Sequence, residues 1–321
     1  MPQPAKKKII KPARLREGDR ISIVSPASPS MTKIYYEKGR AVLDAMGYHV
    51  VPGRHVNDRR LLFAGDAKAR AADINDAFRD KSIRAIICVR GGCGTAQILH
   101  YIDFPAVARN PKIFVGYSDI TCLQTAILQK TGLVTFYGPM VSTDFGKQIT
   151  GYARESLLNT LTNTGEAVEL RNPVKKEMVT IVPGKAEGRL TGGCLSIAVA
   201  SLGTPYEIDT RGAILFFEDI DEKPHRIDRY LTQLTQAGKL AQARGIIFGT
   251  FPQCSYTARD NYSRYGVTLL DIIRERIVPL KIPSIYGLQF GHVRSKLTIP
   301  IGAAAWLDAT GKRVTVESAV T

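Results

Sequence analysis

Between Arg20 and Lys130 the chain alternates strand-sized apolar runs with segments of helical period, and few architectures accept that order. The strand-like runs are Arg20–Ser25, Tyr48–Val51, Ala85–Val89 and Lys112–Val115. Helical spacing fills Thr32–Met46, Ala67–Asp80, Ala96–Tyr101 and Thr121–Lys130. Several of the strands are apolar throughout, which requires cover on both faces and so predicts a parallel sheet in an α/β fold. The pattern reopens with a helix at Cys194–Leu202. Strands follow at Ala213–Phe217, Gly245–Phe248 and Ile282–Gly287, with helices at His225–Gln236 and Thr268–Ile277. The stretch from Lys296 to Val320 reads as mostly β. The expected organisation is a basic flexible arm (1–14), an α/β domain (15–145), a linker (146–185) and a C-terminal domain (186–321).

At 321 residues the chain is long enough for two cores. Its longest apolar runs fall far short of the roughly 20 residues that span a bilayer. Lys6, Lys7 and Lys8 are followed by no apolar h-region, so no secretory signal is expected. The five cysteines form no C-x-x-C pair and no Cys/His ligand spacing, which predicts a reducing cytoplasm and no metal site. The formal charge is +15, from 44 Lys and Arg against 29 Asp and Glu. Such a field suits nucleic acid or any polyanionic small substrate. No helix-turn-helix, RNP or zinc-finger pattern supports nucleic acid, and no nucleic-acid or membrane partner is expected.

Three motifs carry chemistry. In Ile113–Thr121 a buried strand runs into Gly116, Tyr117 and Ser118, and a helix starts at once. That is the outline of a nucleophile elbow, with the Asp119 N–H beside Ser118 at a helix N-terminus. The motif lacks the second glycine of G-x-S-x-G, so taken alone an N-cap serine is the commoner reading. The second motif is Arg90-Gly-Gly-Cys-Gly-Thr95, after the strand ending at Val89. It reads as a phosphate cradle or as a second oxyanion donor at a neighbouring strand end; no G-K-[ST] or G-x-G-x-x-G ending supports the cradle. The third is Glu218, at the end of the apolar run before Asp219, Asp221 and Glu222, where it can orient a histidine. His292, in the glycine-flanked loop Phe290–Arg294, is a candidate base, as is His225. Cys93 and Cys122 are rival nucleophiles.

Taken together and in order, the motifs resemble the LD-carboxypeptidases, serine peptidases that include the microcin-C self-immunity peptidases. The resemblance runs from about Leu15 to Leu307. It covers the opening GDRISIVSPASP, Phe63–Phe78, RGGCG, VGYSDIT, Tyr137–Met140, Gly188–Ser196, Leu202–Asp209, Phe216–Arg229 and Gly291–Gly302. It implies Ser118 as nucleophile, Glu218 as orienting acid, His292 as base, and the backbone N–H groups of Gly92 and Asp119 as oxyanion hole. It also implies an N-terminal domain similar to class I glutamine amidotransferases, a smaller C-terminal β/α domain, a homodimer, and no metal or other cofactor. Three positions depart from the family's habit: Cys93 stands where an aromatic residue is frequent, Cys194 where Asn is common, and His225 where Tyr is usual.

The implied reaction is removal of the C-terminal D-Ala from murein tetrapeptides across an L,D bond, during cell-wall recycling. Arg294, two residues past His292, is a candidate for the terminal carboxylate, because a guanidinium matches it in a two-pronged pair; Cys93 would line the pocket. The closest rival is an immunity peptidase that cleaves a peptidyl-aminoacyl nucleotide. A longer, aromatic loop after Glu218 would favour it, and Asp219–Asp228 is short. A non-hydrolytic amidotransferase-like or nucleotide-binding module would need a cysteine at the elbow or a complete phosphate loop.

Overall fold

A computed structural model of the chain describes residues 7–173 and 176–321. It divides into two compact units. Unit 1 runs to Glu166 and takes back Thr298–Ala303 and Ser318–Thr321. Unit 2 comprises Ala167–Leu297 and Ala304–Glu317.

In unit 1 the elements are β1 (Arg20–Val24), α1 (Lys33–Ala45), β2 (His49–Pro52), α2 (Ala67–Arg79), β3 (Ile83–Cys88), α3 (Phe104–Arg109), β4 (Ile113–Gly116), α4 (Thr121–Thr131), β5 (Thr135–Tyr137) and α5 (Gly151–Thr162). The segment expected as a helix at Ala96–Tyr101 is a 3-10 turn spanning Thr95–Tyr101. Five parallel strands lie in the order β5-β4-β3-β1-β2. The chain leaves β1 toward β2 and then crosses to β3 on β1's other side. The carboxyl ends of β1 and β3 therefore diverge into a crevice, the usual ligand position of an open α/β sheet. Residues of β3 and β4 are buried on both faces, apart from Arg84 near the start of β3, as the apolar runs Ala85–Cys88 and Ile113–Gly116 require. Asp66 caps α2 by accepting the Ala69 N–H, and the helix turns Ala71, Ile74, Ala77 and Phe78 inward.

Unit 2 continues with β6 (Val168–Glu169), β7 (Val179–Val182), β8 (Lys185–Cys194), α6 (Leu195–Ala200), β9 (Ala213–Glu218), α7 (Pro224–Gln236), β10 (Gly245–Phe248), α8 (Leu269–Ile277) and β11 (Ser284–Tyr286). After β12 (Ile299–Ile301), which belongs to unit 1, come β13 (Ala304–Asp308) and β14 (Arg313–Val316). The eight-stranded sheet has the order β6-β14-β13-β8-β9-β10-β11-β7. Its centre, β8-β9-β10-β11, is parallel, and the flanks are antiparallel. Glu218 is the last residue of β9, inside this parallel centre.

Three expectations about boundaries need correction. Residues 146–185 hold α5, β6 and β7, and the units divide within them, after Glu166. The C-terminal stretch does not stay in the second unit: β12 pairs antiparallel with β5, Ile299 opposite Tyr137, and closes the edge of the first sheet. Met1–Lys6 lie outside the described residues, but the rest of the expected arm is tied down. Ile10 exchanges hydrogen bonds with the Gly132–Val134 segment, and Pro12 and Arg14 bond to Thr321.

Among the described residues no helix is long and apolar enough to cross a membrane. Nor is there, among them, a group of three or more His, Cys, Asp or Glu placed to hold a metal ion.

Candidate active site

In unit 1 the turn after β4 puts Ser118 at φ 67°, a left-handed conformation that a serine adopts only when its surroundings enforce it. Tyr137 supplies part of that enforcement by accepting the Ser118 N–H at 3.1 Å, and the Thr121 hydroxyl donates to the Ser118 carbonyl at 2.6 Å. The Ser118 side chain caps neither the 3-10 turn Ser118–Ile120 nor α4. The N-cap reading therefore gives way to the strained elbow, with a half-buried hydroxyl.

The glycine loop lies directly against this elbow. A β-carbon at Gly91 would sit 2.8 Å from Ser118 Cβ, 3.0 Å from its Oγ and 3.3 Å from the Asp119 nitrogen, so only glycine fits. Gly92 follows at φ 109°, packed on Ser28. Ser28 comes from the loop after β1; its N–H donates to the Gly91 carbonyl, and its hydroxyl accepts the Cys93 N–H at 3.3 Å. Loops from β1, β3 and β4 thus converge at the crevice. Asp119 turns its carboxylate inward to Thr95, and Arg70, almost fully buried, donates to the Pro26 and Gly94 carbonyls at 2.7 and 2.9 Å. Burial raises the Asp119 carboxyl above its ordinary range, opposed by the bonds from Thr95 and the charge of Arg70.

In unit 2, Nδ1 of His292 lies 2.8 and 3.1 Å from the two Glu218 oxygens, and the His292 backbone N–H donates to the same carboxylate at 3.1 Å. Glu218 is wholly buried, whereas the His292 side chain keeps 13% exposure. With Nδ1–H donated to the carboxylate, Nε2 is left as an acceptor. The next residue, Asp219, is also buried. It accepts the Ser196 N–H at 2.7 Å, the Ile220 N–H at 2.9 Å and the Cys194 thiol at 3.4 Å. Burial, with the Glu218 charge adding to it, pushes Asp219 up to about 6.

Cys122 is a buried residue of α4, and burial pushes its thiol up to about 12, so it carries little thiolate at neutral pH. Cys93 sits part-exposed in the glycine loop, 3.8 Å from Ser28 Oγ. Cys194 is buried at the end of β8, opposite Glu218. His225, at the start of α7, meets the Tyr256 hydroxyl at 3.2 Å and stacks on that ring. Arg294 is exposed, two residues beyond His292. Sequence reasoning gave no role to Tyr137, Thr95, Arg70 or Asp219. The first three lie in or beside motifs already singled out, and Asp219 is one of four acids within the five residues 218–222, with no signal that sets it apart.

Residues 21–138 match the LD-carboxypeptidase N-terminal domain, and residues 187–307 match the LD-carboxypeptidase C-terminal domain. The chain belongs to the LD-carboxypeptidase family. A "Probable murein peptide carboxypeptidase" of Bacillus subtilis is 39% identical over 310 residues, covering 97% of this chain and 95% of the relative. The microcin C7 self-immunity protein MccF of Escherichia coli is 26% identical, covering 95% and 94%. Among solved structures of this family, muramoyltetrapeptide carboxypeptidase from Oxalobacter formigenes superposes with a TM-score of 0.82 at 30% identity, covering 94% of this chain and all of that one. A point mutant of MccF in complex with adenosine monophosphate gives a TM-score of 0.90 at 25% identity, covering 97% and 100%. As an LD-carboxypeptidase family member the chain is a hydrolase, and the names of its relatives are those of carboxypeptidases.

Proposed function

We propose that this LD-carboxypeptidase hydrolyses the amide before the C-terminal D-Ala of murein tetrapeptides, with Ser118, Glu218 and His292 as a catalytic triad. The observation that carries the reading is the Glu218–His292 pair: a buried carboxylate holding Nδ1 of a part-exposed imidazole in one tautomer. Such a pair serves a nucleophile that must lose a proton, and Ser118 on its strained turn is that nucleophile. Ser118 Oγ adds to the scissile carbonyl carbon while its proton passes to Nε2 of His292. Negative charge collects on the carbonyl oxygen against the Gly92 and Asp119 N–H groups, where one donor is worth about 3–4 kcal/mol. The C–N bond then breaks, D-Ala leaves with the His292 proton, and water releases the acyl group from Ser118.

Arg294 is proposed to grip the terminal carboxylate, and Cys93 to line the pocket. Arg294→Ala should lower kcat/KM for tetrapeptide about ten- to a hundredfold, the worth of a charged hydrogen bond, and should affect a C-terminally amidated peptide much less. Equal losses on both substrates would remove it from the site.

The deciding experiment is incubation with murein tri-, tetra- and pentapeptide and mass spectrometry of the released amino acid. D-Ala released from the tetrapeptide is expected. Ser118→Ala should fold and lose about 10⁴-fold or more in rate, while Cys93→Ala keeps most of it. A parental rate in Ser118→Ala would refute the elbow. Release from an aminoacyl sulfamoyl nucleotide, with no tetrapeptide cleavage, would favour a microcin-type immunity role; the 39% relative and the short 219–223 connection between β9 and α7 speak for murein. Five free thiols fit a cytoplasmic location. The proposed assembly is a homodimer, checked by sedimentation velocity, and activity is expected to survive exhaustive EDTA dialysis.

A further inference from the structure

The glycine loop has little stiffness of its own. Gly92 and Gly94 both adopt positive φ, 109° and 110°, and glycine backbone is the most easily displaced. Yet an oxyanion hole that takes one N–H from Gly92 and one from Asp119 depends on a fixed spacing between a loop after β3 and an elbow after β4. Thr95, the first residue after the glycines, reaches across this gap. Its N–H donates to Asp119 Oδ2 at 2.9 Å, and its hydroxyl lies 2.8 Å from the same oxygen and 2.5 Å from the Asp119 carbonyl oxygen. Both residues are buried, so no solvent competes for these bonds. Arg70 braces the far side of the loop through the Gly94 carbonyl and Gln97, and Gly91 abuts Ser118. Asp119 therefore faces two ways: its backbone N–H sits at the nucleophile, and its side chain holds the loop that bears the other donor.

We propose that the Thr95–Asp119 clamp is a positioning device that sets the distance between the two oxyanion donors. This rests on the serine-hydrolase reading of Ser118. The clamp touches no substrate atom; its effect is expected only where negative charge develops. Loosening it should therefore spare ground-state binding and weaken the transition state.

Thr95→Val keeps the β-branched shape and the N–H and removes the hydroxyl. The expected result is a fall in kcat for tetrapeptide of about tenfold or more, with KM within about twofold. A peptidyl boronic acid, whose oxygen occupies the oxyanion position once boron bonds to Ser118 Oγ, should lose affinity by the same factor. Affinity for the tripeptide product should not change. Thr95→Ser, which restores a hydroxyl, should recover most of the rate. Asp119→Asn, which keeps the backbone donor but weakens the acceptor, should behave as an intermediate and serves if Thr95→Val does not fold. A Thr95→Val enzyme with parental kcat overturns the inference, as does one that loses boronate and product affinity equally. Labelling by a fluorophosphonate separates this from the substrate reading. The Ser118 Oγ–P bond forms as fluoride leaves, with no peptide recognised, and the rate should fall in Thr95→Val alongside kcat. If the parent is labelled and cleaves no murein peptide, the proposed substrate fails and the clamp is judged on labelling alone. If the parent is labelled and Thr95→Val is labelled equally fast, the clamp fails and the hydrolase stands.

Discussion

A β-carbon on Gly291 would lie 2.2 Å from both Cδ and Oε2 of Glu218, and the residue sits at φ 82°. The carboxylate that orients His292 thus occupies space that any side chain at the preceding position would need. Gly291→Ala is expected to displace Glu218, to lower kcat/KM about a hundredfold or more, and to cost about 1–2 kcal/mol from the left-handed backbone alone. Steady-state kinetics alongside urea unfolding checks both; a fully active Gly291→Ala would mean that the pair is not needed. At this scale residue type and strand-end position made Ser118, Glu218 and His292 candidates, beside Cys93, Cys122 and His225, and the family resemblance chose among them. The sequence was silent on the residues that hold them. Tyr137 accepts the Ser118 N–H from a strand 19 positions away, and Asp119 meets Thr95 across 24 positions. Such bonds are set by which strands become neighbours, and local spacing does not encode that.

Where β9 ends, two buried carboxylates follow one another, and only the first faces His292. Asp219 instead binds β9's exit to the start of α6 through the Ser196 N–H. Its carboxyl is raised to about 6, against an ordinary value of 3.8, chiefly by burial. Because the folded value is the higher one, the native state holds the proton more tightly than the unfolded chain. Stability from this group is full below pH 4 and is lost as pH rises toward 6, by roughly 3 kcal/mol. Asp219→Asn carries no such loss, so its stability relative to the parent should climb between pH 4 and pH 7 in urea unfolding. A constant difference across that range would show that Asp219 is ionised throughout. The elements themselves were unevenly legible. Apolar runs such as Ala85–Cys88 in β3, Ala213–Phe217 in β9 and Gly245–Phe248 in β10 stand out, whereas β5 has only three residues. In β8, Gly188, Gly192 and Gly193 interrupt the alternation that marks a strand. α5 did carry a signal: Ala153, Leu157 and Leu161 recur every four residues behind the capping Thr150. The polar residues around them gave the stretch the look of a linker.

The two-unit plan could be read from the alternating pattern, but its boundaries could not, because the chain returns to its first unit twice. Ala319 and Val320 are almost fully buried there, and Thr321 bonds to Pro12 and Arg14. Removing residues 318–321 is expected to destabilise unit 1 by about 2–3 kcal/mol, from the lost apolar burial alone. Hydrogen exchange should place the loss around β1 and Leu15; unchanged protection there would show that the return is dispensable. The other return is β12, whose neighbour Thr298 donates to Ser156 Oγ, 142 positions earlier in the chain. β12 itself follows its partner β5 by 162 positions, counted from Tyr137 to Ile299, and during translation at about 5–20 residues per second that separation is a wait of roughly 8–32 s. Through that interval β5 is an unpaired edge beside the strand that leads to Ser118, open to any other strand that meets it. Synthesis order is therefore built into the fold: the sheet that carries Ser118 is closed only after Glu218 and His292 have both been made.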